Sequence, residues 1–418
     1  MKAFTWLKAL LMLAVFATFS TSRLAALTFE TIYTFTGGTD GGSPVAGLIP
    51  DGHGNLFGVT QGTQTNSGTV FELSPMSGGG WTVKTLYTFQ GGTDGDGPVG
   101  TLVFDKHGNL FGTTVFGGVG TSTVCINRCG TVFELSPNGS GAWNKTEVYQ
   151  FQGGSDGASP TAGMVMDSSG NLFGTTSFGG GSCDITFLGC GTAFELSPGD
   201  GGWTESILHH FGQGNCPTCL KTPEGALVFD AQGDLYGTTF VGGSSNCGGV
   251  FKLTPVTGGG WKTRVQHTFT CGNDGAYPNS TLVFDGVGRL YGTTQAGGKF
   301  NNGVVYWLPV GGGSGAKIHD FNGADGSAPS TVTLDSAGNI YGTTGNGGGS
   351  ANCTDGCGVA YKLTIRSSDS WTYSMLHSFT GPDGQFPNAL FLNSAGDLLG
   401  TTSQGGADSF GTVFEIKP

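Results

Sequence analysis

The chain alternates short runs in which apolar and polar residues take turns with short runs of Gly, Asp, Asn and Ser. Residues 81–89, "WTVKTLYTF", alternate and are rich in Thr and aromatic rings. "VGTLVF" at 99–104, "NLFGTT" at 109–114 and "GTVFELSP" at 130–137 follow the same period of two. That period places successive side chains on opposite faces and predicts four β-strands. Between them lie "GGTDGDGP", a loop, and "DKHGN", with Asp first and Gly fourth as a type I turn prefers. Pro137 ends the fourth strand, and a Gly-rich turn leads to the next Trp. Beyond the first 26 residues no stretch carries a convincing helical period.

This four-strand unit recurs. The glycine of "NLFGTT" returns at Gly58, Gly112, Gly174, Gly237, Gly292, Gly342 and Gly400, at intervals of 50 to 63 residues. Periods near 50 suit propeller blades better than solenoid turns, and blades let loops grow without shifting the core. The chain finishes on "GTVFEIKP", a fourth-type strand with no "W…YTF" strand behind it, whereas "LTFETIYTF" at 27–35 supplies that strand near the other end. Pairing the two closes the ring and hides its edges. The expected fold is all-β: a seven-bladed propeller of four-stranded antiparallel blades spanning 27–418, closed by the N-terminal strand. A β-solenoid, the other repeat architecture, requires those two strands to stay unpaired.

Glycine in mid-strand needs a packing reason. The missing side chain at Gly112 is expected to admit a ring from the adjacent blade, drawn from the column Phe35, Phe89, Phe151, Phe211, Phe269, Phe321 and Phe379. Small residues entering the next strand (Ala46, Gly100, Ala162, Gly225, Ser280, Ser330) suit the crowded axis.

Composition changes the picture in three ways. There are 81 glycines in 418 residues, about a fifth against roughly 7% in ordinary proteins, yet the period and the aromatics exclude disorder. A net charge of −12, with no cluster of Lys or Arg, excludes nucleic acid as a partner. Residues 1–26 run from Lys2 and Lys8 through "ALLMLAVFATF" to small residues, the order of a cleaved secretory signal; the apolar run is about half the roughly 20 residues of a membrane span. A secreted, periplasmic or surface-bound monomer with no remaining membrane span is expected.

Ten cysteines fit export. Close pairs Cys125/Cys129, Cys183/Cys190, Cys216/Cys219 and Cys353/Cys357 leave Cys247 and Cys271, which belong to adjacent blades. Disulfides are expected rather than zinc, because the "CPTC" pair has no second pair at matching spacing.

Propeller topology puts all ten cysteines, the "GTTxxGG" loops and the "GGTDGxxP" loops on one face, and the "DxxGN" turns on the other. Three sets of residues on the loop face invite chemistry. Asp40, Asp94, Asp156, Asp274, Asp325 and Asp383 recur in "DGxxP"; as a ring they could hold calcium, whereas singly each would cap its own turn. Phe116, Phe178 and Phe240 follow "TT", near Asn, Ser and Thr; exposed, they suit sugar faces, and buried, they plug the loop bases. Tyr33, Tyr87, Tyr149, His209, His267, His319 and His377 each precede the Phe column by two residues, and are expected to act as hydrogen-bonding wedges between blades.

No "GxSxG" elbow, "HExxH" helix or phosphate-binding loop at a helix start occurs, since the glycines, those of "GGSDG" at 153–157 included, lie in loops between strands, and "SPMSGGGW" lacks the Asp of a sialidase-type turn. The repeated "GNLFGTT…GG…GTVFELSP" resembles the GloVer tandem repeat of bacterial choice-of-anchor proteins. The resemblance covers nearly all of 27–418 and implies an exported or surface-displayed protein. The family's C-terminal anchors have no counterpart in "GTVFEIKP", so release is expected. The function expected is a binding module for an extracellular glycan or a surface protein, more a binder than an enzyme. The alternatives are a polysaccharide hydrolase or lyase using channel aspartates, and a structural surface protein without a small ligand.

Overall fold

The computed structural model describes residues 27–417 except 65, 121–124, 126–128, 182, 184–188, 214–215, 217 and 368–369. The expected signal segment lies outside the described residues. Among those described there is no α-helix, only a single 3-10 turn at Gly92–Asp94, and no helix long and apolar enough to cross a membrane.

Seven antiparallel sheets follow one another along the chain. The second is representative, running from Asp96–Phe104 through Leu110–Phe116 and Thr131–Pro137 to Trp143–Gln150, each strand beside the next. Blades are numbered here from the sheet that begins at Ile49. The seventh borrows Thr28–Thr34, which pairs with Thr412–Lys417 through Phe29↔Ile416 and Thr34↔Thr412. The molecule is a seven-bladed β-propeller closed by its N-terminal strand, and the pairing removes both free edges.

The repeated phrase is a set of contacts. Each phrase glycine faces an aromatic ring of its own blade across the strand pair: Gly58↔Phe71, Gly112↔Phe133, Gly237↔Phe251 and Gly292↔Tyr306. A Cβ built at these glycines would lie 2.5 Å from that aromatic side chain, closer than real Cβ atoms come. The ring that fills the gap is therefore the blade's own, not the neighbour's as expected. The expected column packs on it from the preceding blade, edge to face, as in Phe89 on Phe133 at 5.0 Å and Phe211 on Phe251 at 4.9 Å.

The two threonines divide the remaining work. The first reaches the inner strand of the next blade, as Thr113 donates to the Ala162 carbonyl (3.1 Å) and Thr401 to that of Ala46 (3.0 Å). The second pairs across its own blade, as in Thr114 with Thr131 and Thr402 with Thr412, both at 2.9 Å. On the opposite face each "DxxGN" turn closes on its Asp; Asp105 accepts from the backbone of His107 and Asn109 and from the Asn109 amide.

Candidate functional site

Each inner strand is entered through a residue with left-handed backbone followed by proline. The set is Ser43, Gly97, Ser159, Thr222, Tyr277, Ala328 and Phe386, with φ between 54° and 64°. Only one is glycine, so the conformation is imposed by context. Its N–H donates to a carbonyl of the preceding blade in every case, from Phe410, Ser67, Cys129, Cys190, Cys247, Asn302 and Cys357 in turn. This seam fixes where the next residues emerge at the axis.

Those residues line an axial cavity of about 290 Å³, to which all seven blades contribute. The side chains immediately after the prolines are Val45, Val99, Thr161, Glu224, Asn279, Ser330 and Asn388. Gln61, Thr101, Thr281 and Thr331 complete a wall of amides and hydroxyls. Asn388 is held by donating to the Pro44 carbonyl (2.8 Å) and to Thr401 (3.0 Å). Glu224 is the one ionisable side chain in the lining, and burial pushes its carboxyl up to about 7. Sequence reasoning passed over Glu224. Aligning the seven prolines at 44, 98, 160, 223, 278, 329 and 387 would have exposed it as the sole charge in its row.

The loop-face aspartates are turn caps. The carboxylate accepts the backbone N–H of Thr36 at Asp40 (2.8 Å), Gln90 at Asp94 (2.8 Å), Gln152 at Asp156 (2.6 Å), Thr270 at Asp274 (3.1 Å), Asn322 at Asp325 (2.7 Å) and Thr380 at Asp383 (2.7 Å). The Tyr/His column meets the same carboxylates, with Tyr87 Oη 2.7 Å from Asp94 and His377 Nε2 2.8 Å from Asp383. Burial opposes ionisation of Asp383, but the bonds from His377 and Thr380 outweigh it and hold its carboxyl below the usual value. Among the described residues no three His, Cys, Asp or Glu side chains are grouped to hold a metal ion. The column also touches the following blade: Tyr149 donates to Glu205 (2.9 Å), His319 stacks on Tyr373 (4.7 Å) and His377 on Phe29 (3.6 Å).

One member of the column stands apart. His209 has no Asp ahead of it, because "GNCPTC" at 214–219 replaces the capped turn. The following blade faces it with Thr263 rather than a large partner, and a cavity of about 620 Å³ opens there. Its lining includes His209, His210, Gln213, Cys219, Thr263 and Val265. Burial, followed by the neighbouring His210, lowers the His209 pKa to about 4, so the imidazole is neutral near pH 7.

The three expected phenylalanines are all half-buried. Phe116 ends its strand opposite Asp96, and Phe178 forms a bridge with Ala158 and packs on the core. Phe240 sits one position earlier in the repeat, directly after Thr239, so it belongs to the other face of its strand and stacks on Tyr277 of the next blade at 5.1 Å. The three rings therefore do not form one platform. All ten cysteines are disulfide-bonded, as Cys125–Cys129, Cys183–Cys190, Cys216–Cys219, Cys247–Cys271 and Cys353–Cys357.

On the opposite face, clefts of about 500 and 560 Å³ lie between blades two and three and between three and four, walled by Trp203 and Trp261. These rings also close the core, Trp203 against Phe111 (5.7 Å) and Trp261 against Phe173 (5.9 Å).

No curated protein matches this sequence. Among solved structures, the extracellular domain of the hybrid two-component system BT3049 from B. thetaiotaomicron superposes with a TM-score of 0.54 at 14% identity. The alignment covers 94% of this chain but 41% of that one. A gluconolactonase from Xanthomonas campestris (TM-score 0.43, 12% identity, 94% of this chain and 90% of that one) is a more distant likeness. So is the PQQ-bound aldose sugar dehydrogenase from Streptomyces coelicolor (TM-score 0.43, 13% identity, 94% and 98%). At these identities the likeness extends to the fold alone. In sequence, the model of the Gloeobacter/Verrucomicrobia repeat matches residues 17–187 and again 185–414, nearly the whole described ring, and the chain belongs to that family.

Proposed function

We propose that this protein is an exported binding module that takes an extracellular glycan into the loop-face mouth of its axial cavity. The observation that carries the reading is the wall of that cavity, where Gln61, Thr161, Asn279 and Asn388 present amides and a hydroxyl around a single carboxylate. Such groups pair with sugar hydroxyls, whose donors and acceptors they match. A volume of about 290 Å³ lies at the lower end of the ~300–1,000 Å³ usual for ligand sites, which suits a chain end or one ring better than a long segment. Phe116 stands near Gln61 of this wall: a Cβ at Gly97 would lie 3.6 Å from both.

Binding is favoured over hydrolysis because glycoside cleavage ordinarily needs two carboxyls, and the cavity lining holds only Glu224. Five disulfides fit an extracellular setting. The test is a glycan array on the oxidised protein, with calcium and again with EDTA, beside Asn279→Leu. The expected result is a set of hits indifferent to EDTA and lost in the variant. Hits abolished by EDTA would return the site to the aspartates, and an empty array would leave a protein partner as the better reading.

A further inference from the structure

Four of the five disulfides share one design. In each, one cysteine is fully buried: Cys129, Cys190, Cys247 and Cys357 are 0 to 1% exposed. Those four are also the residues whose carbonyls accept the interblade N–H at the entry to the next inner strand, from Ser159, Thr222, Tyr277 and Phe386. They occupy one repeat position, held elsewhere by Ser67, Asn302 and Phe410. Four disulfides are therefore staples on the seam between blades.

Cys216–Cys219 belongs to none of this. Neither cysteine is buried, and neither holds the seam position. The two are three residues apart, so the bridge closes the shortest loop of the five and contributes least by chain entropy. It stands where the capped turn of six other intervals is missing, and Cys219 opens onto the 620 Å³ cavity beside His209 and His210. A half-exposed pair of cysteines at C-x-x-C spacing beside a cavity is suited to exchange rather than to stapling.

We propose that Cys216–Cys219 is a redox-active disulfide that oxidises a cysteine pair of an exported polypeptide segment lodged in the cavity next to it. A thiolate of the segment attacks the sulfur of Cys219, forming a mixed disulfide and releasing Cys216 as the thiolate. The second thiolate of the segment then attacks its own sulfur in that mixed disulfide and releases Cys219. Two substrate thiols become one disulfide, the protein disulfide becomes two thiols, and the two protons pass from substrate to protein. The cavity supplies apolar contact through Leu208, Val265 and Phe251 and polar groups through Gln213 and Thr263. The exchange is stoichiometric, one substrate disulfide for each protein disulfide consumed.

The test needs no variant at first. Native oxidised protein is incubated with graded dithiothreitol, quenched with iodoacetamide, and its alkylated cysteines are assigned by peptide mass spectrometry. Cys216 and Cys219 should be alkylated at a reductant concentration at least ten-fold below that opening any other pair. An excess of a synthetic peptide with two thiols should then gain one disulfide per protein, and Cys219→Ser should abolish the transfer while its thermal unfolding stays cooperative. Simultaneous opening of all five pairs, or earlier opening of another, overturns the proposal. So does selective opening without oxidation of the peptide.

Discussion

Six of the seven intervals that lead from an outer strand to the next inner strand end in the same way. A Tyr or His is bonded to an Asp, the Asp caps its turn, and a left-handed residue and a proline start the next blade. The interval from His209 to Glu224 keeps only the last of these. It lacks the Asp, carries an extra disulfide, buries Lys221 to 1% exposure and delivers the single carboxylate of the axial cavity. The difference separates two kinds of residue. What recurs in seven blades answers the needs of blade packing, which are the same everywhere. What departs in one blade is not required by blade packing, since six blades do without it.

The largest effect should come from opening the ring. A chain lacking residues 27–34 leaves the Thr412–Lys417 edge unpaired, and is expected to elute as aggregate and lose cooperative thermal unfolding. A closed, cooperative species without that strand would show that the repeat alone makes the ring. Next comes Gly237→Ala, whose Cβ would stand 2.5 Å from Phe251; overpacking of this kind costs about 1–3 kcal/mol, read as a fall in denaturation midpoint. Smaller again is Asp383→Ala, which leaves the Thr380 N–H and His377 unpaired in a half-exposed turn, for about 1 kcal/mol. The interval at His209 offers no equivalent carboxylate to remove.

The smallest effects concern pH, and of Asp40, Asp383, His209 and Glu224 the last alone should act with the opposite sign. Asp40 and Asp383 have depressed pKa values, so their contribution is present above the unfolded carboxylate value near 4 and is lost as pH falls through their lower folded values. Glu224 is raised to about 7, so the folded chain binds the extra proton and stability declines as pH rises from about 4.3 toward 7. Glu224→Gln should flatten that decline, by no more than about 1 kcal/mol since solvent reaches the cavity. His209, lowered to about 4, withdraws stability as pH falls from 6.5. Thermal midpoints of wild type, Glu224→Gln, His209→Gln and Asp383→Ala, followed from about pH 8 into the acid range below the free carboxylate value, resolve the three trends.

The ring was legible because each blade repeats its contacts: period-two strands, phrase glycines and two complementary ends sufficed for seven blades and for their closure. That the cysteines form disulfides was legible from their even number and local spacing, whereas the connectivity, Cys247–Cys271 across 24 residues above all, came from the structure. The partner of the phrase glycine was misplaced, since Phe71 and Phe89 are both rings near one gap, and only cross-strand register assigns the gap to the ring of the same blade. Phe240 was grouped with Phe116 and Phe178 although it stands one position earlier in the repeat, and a shift of one residue turns a side chain to the other face of its strand. Glu224 was hidden because a lone carboxylate gains meaning only when seven chain segments are brought around one axis.

The most direct measurement pairs one recurring residue with one departing residue in a single binding experiment. Glu224→Gln and Asp383→Ala would be compared with wild type on the glycan that binds best, alongside their thermal midpoints. Glu224→Gln is expected to lose binding at least ten-fold with its midpoint at pH 4 unchanged, whereas Asp383→Ala lowers the midpoint and keeps the affinity of the folded protein. The reverse pattern, with binding lost at Asp383 and retained at Glu224, would contradict that expectation.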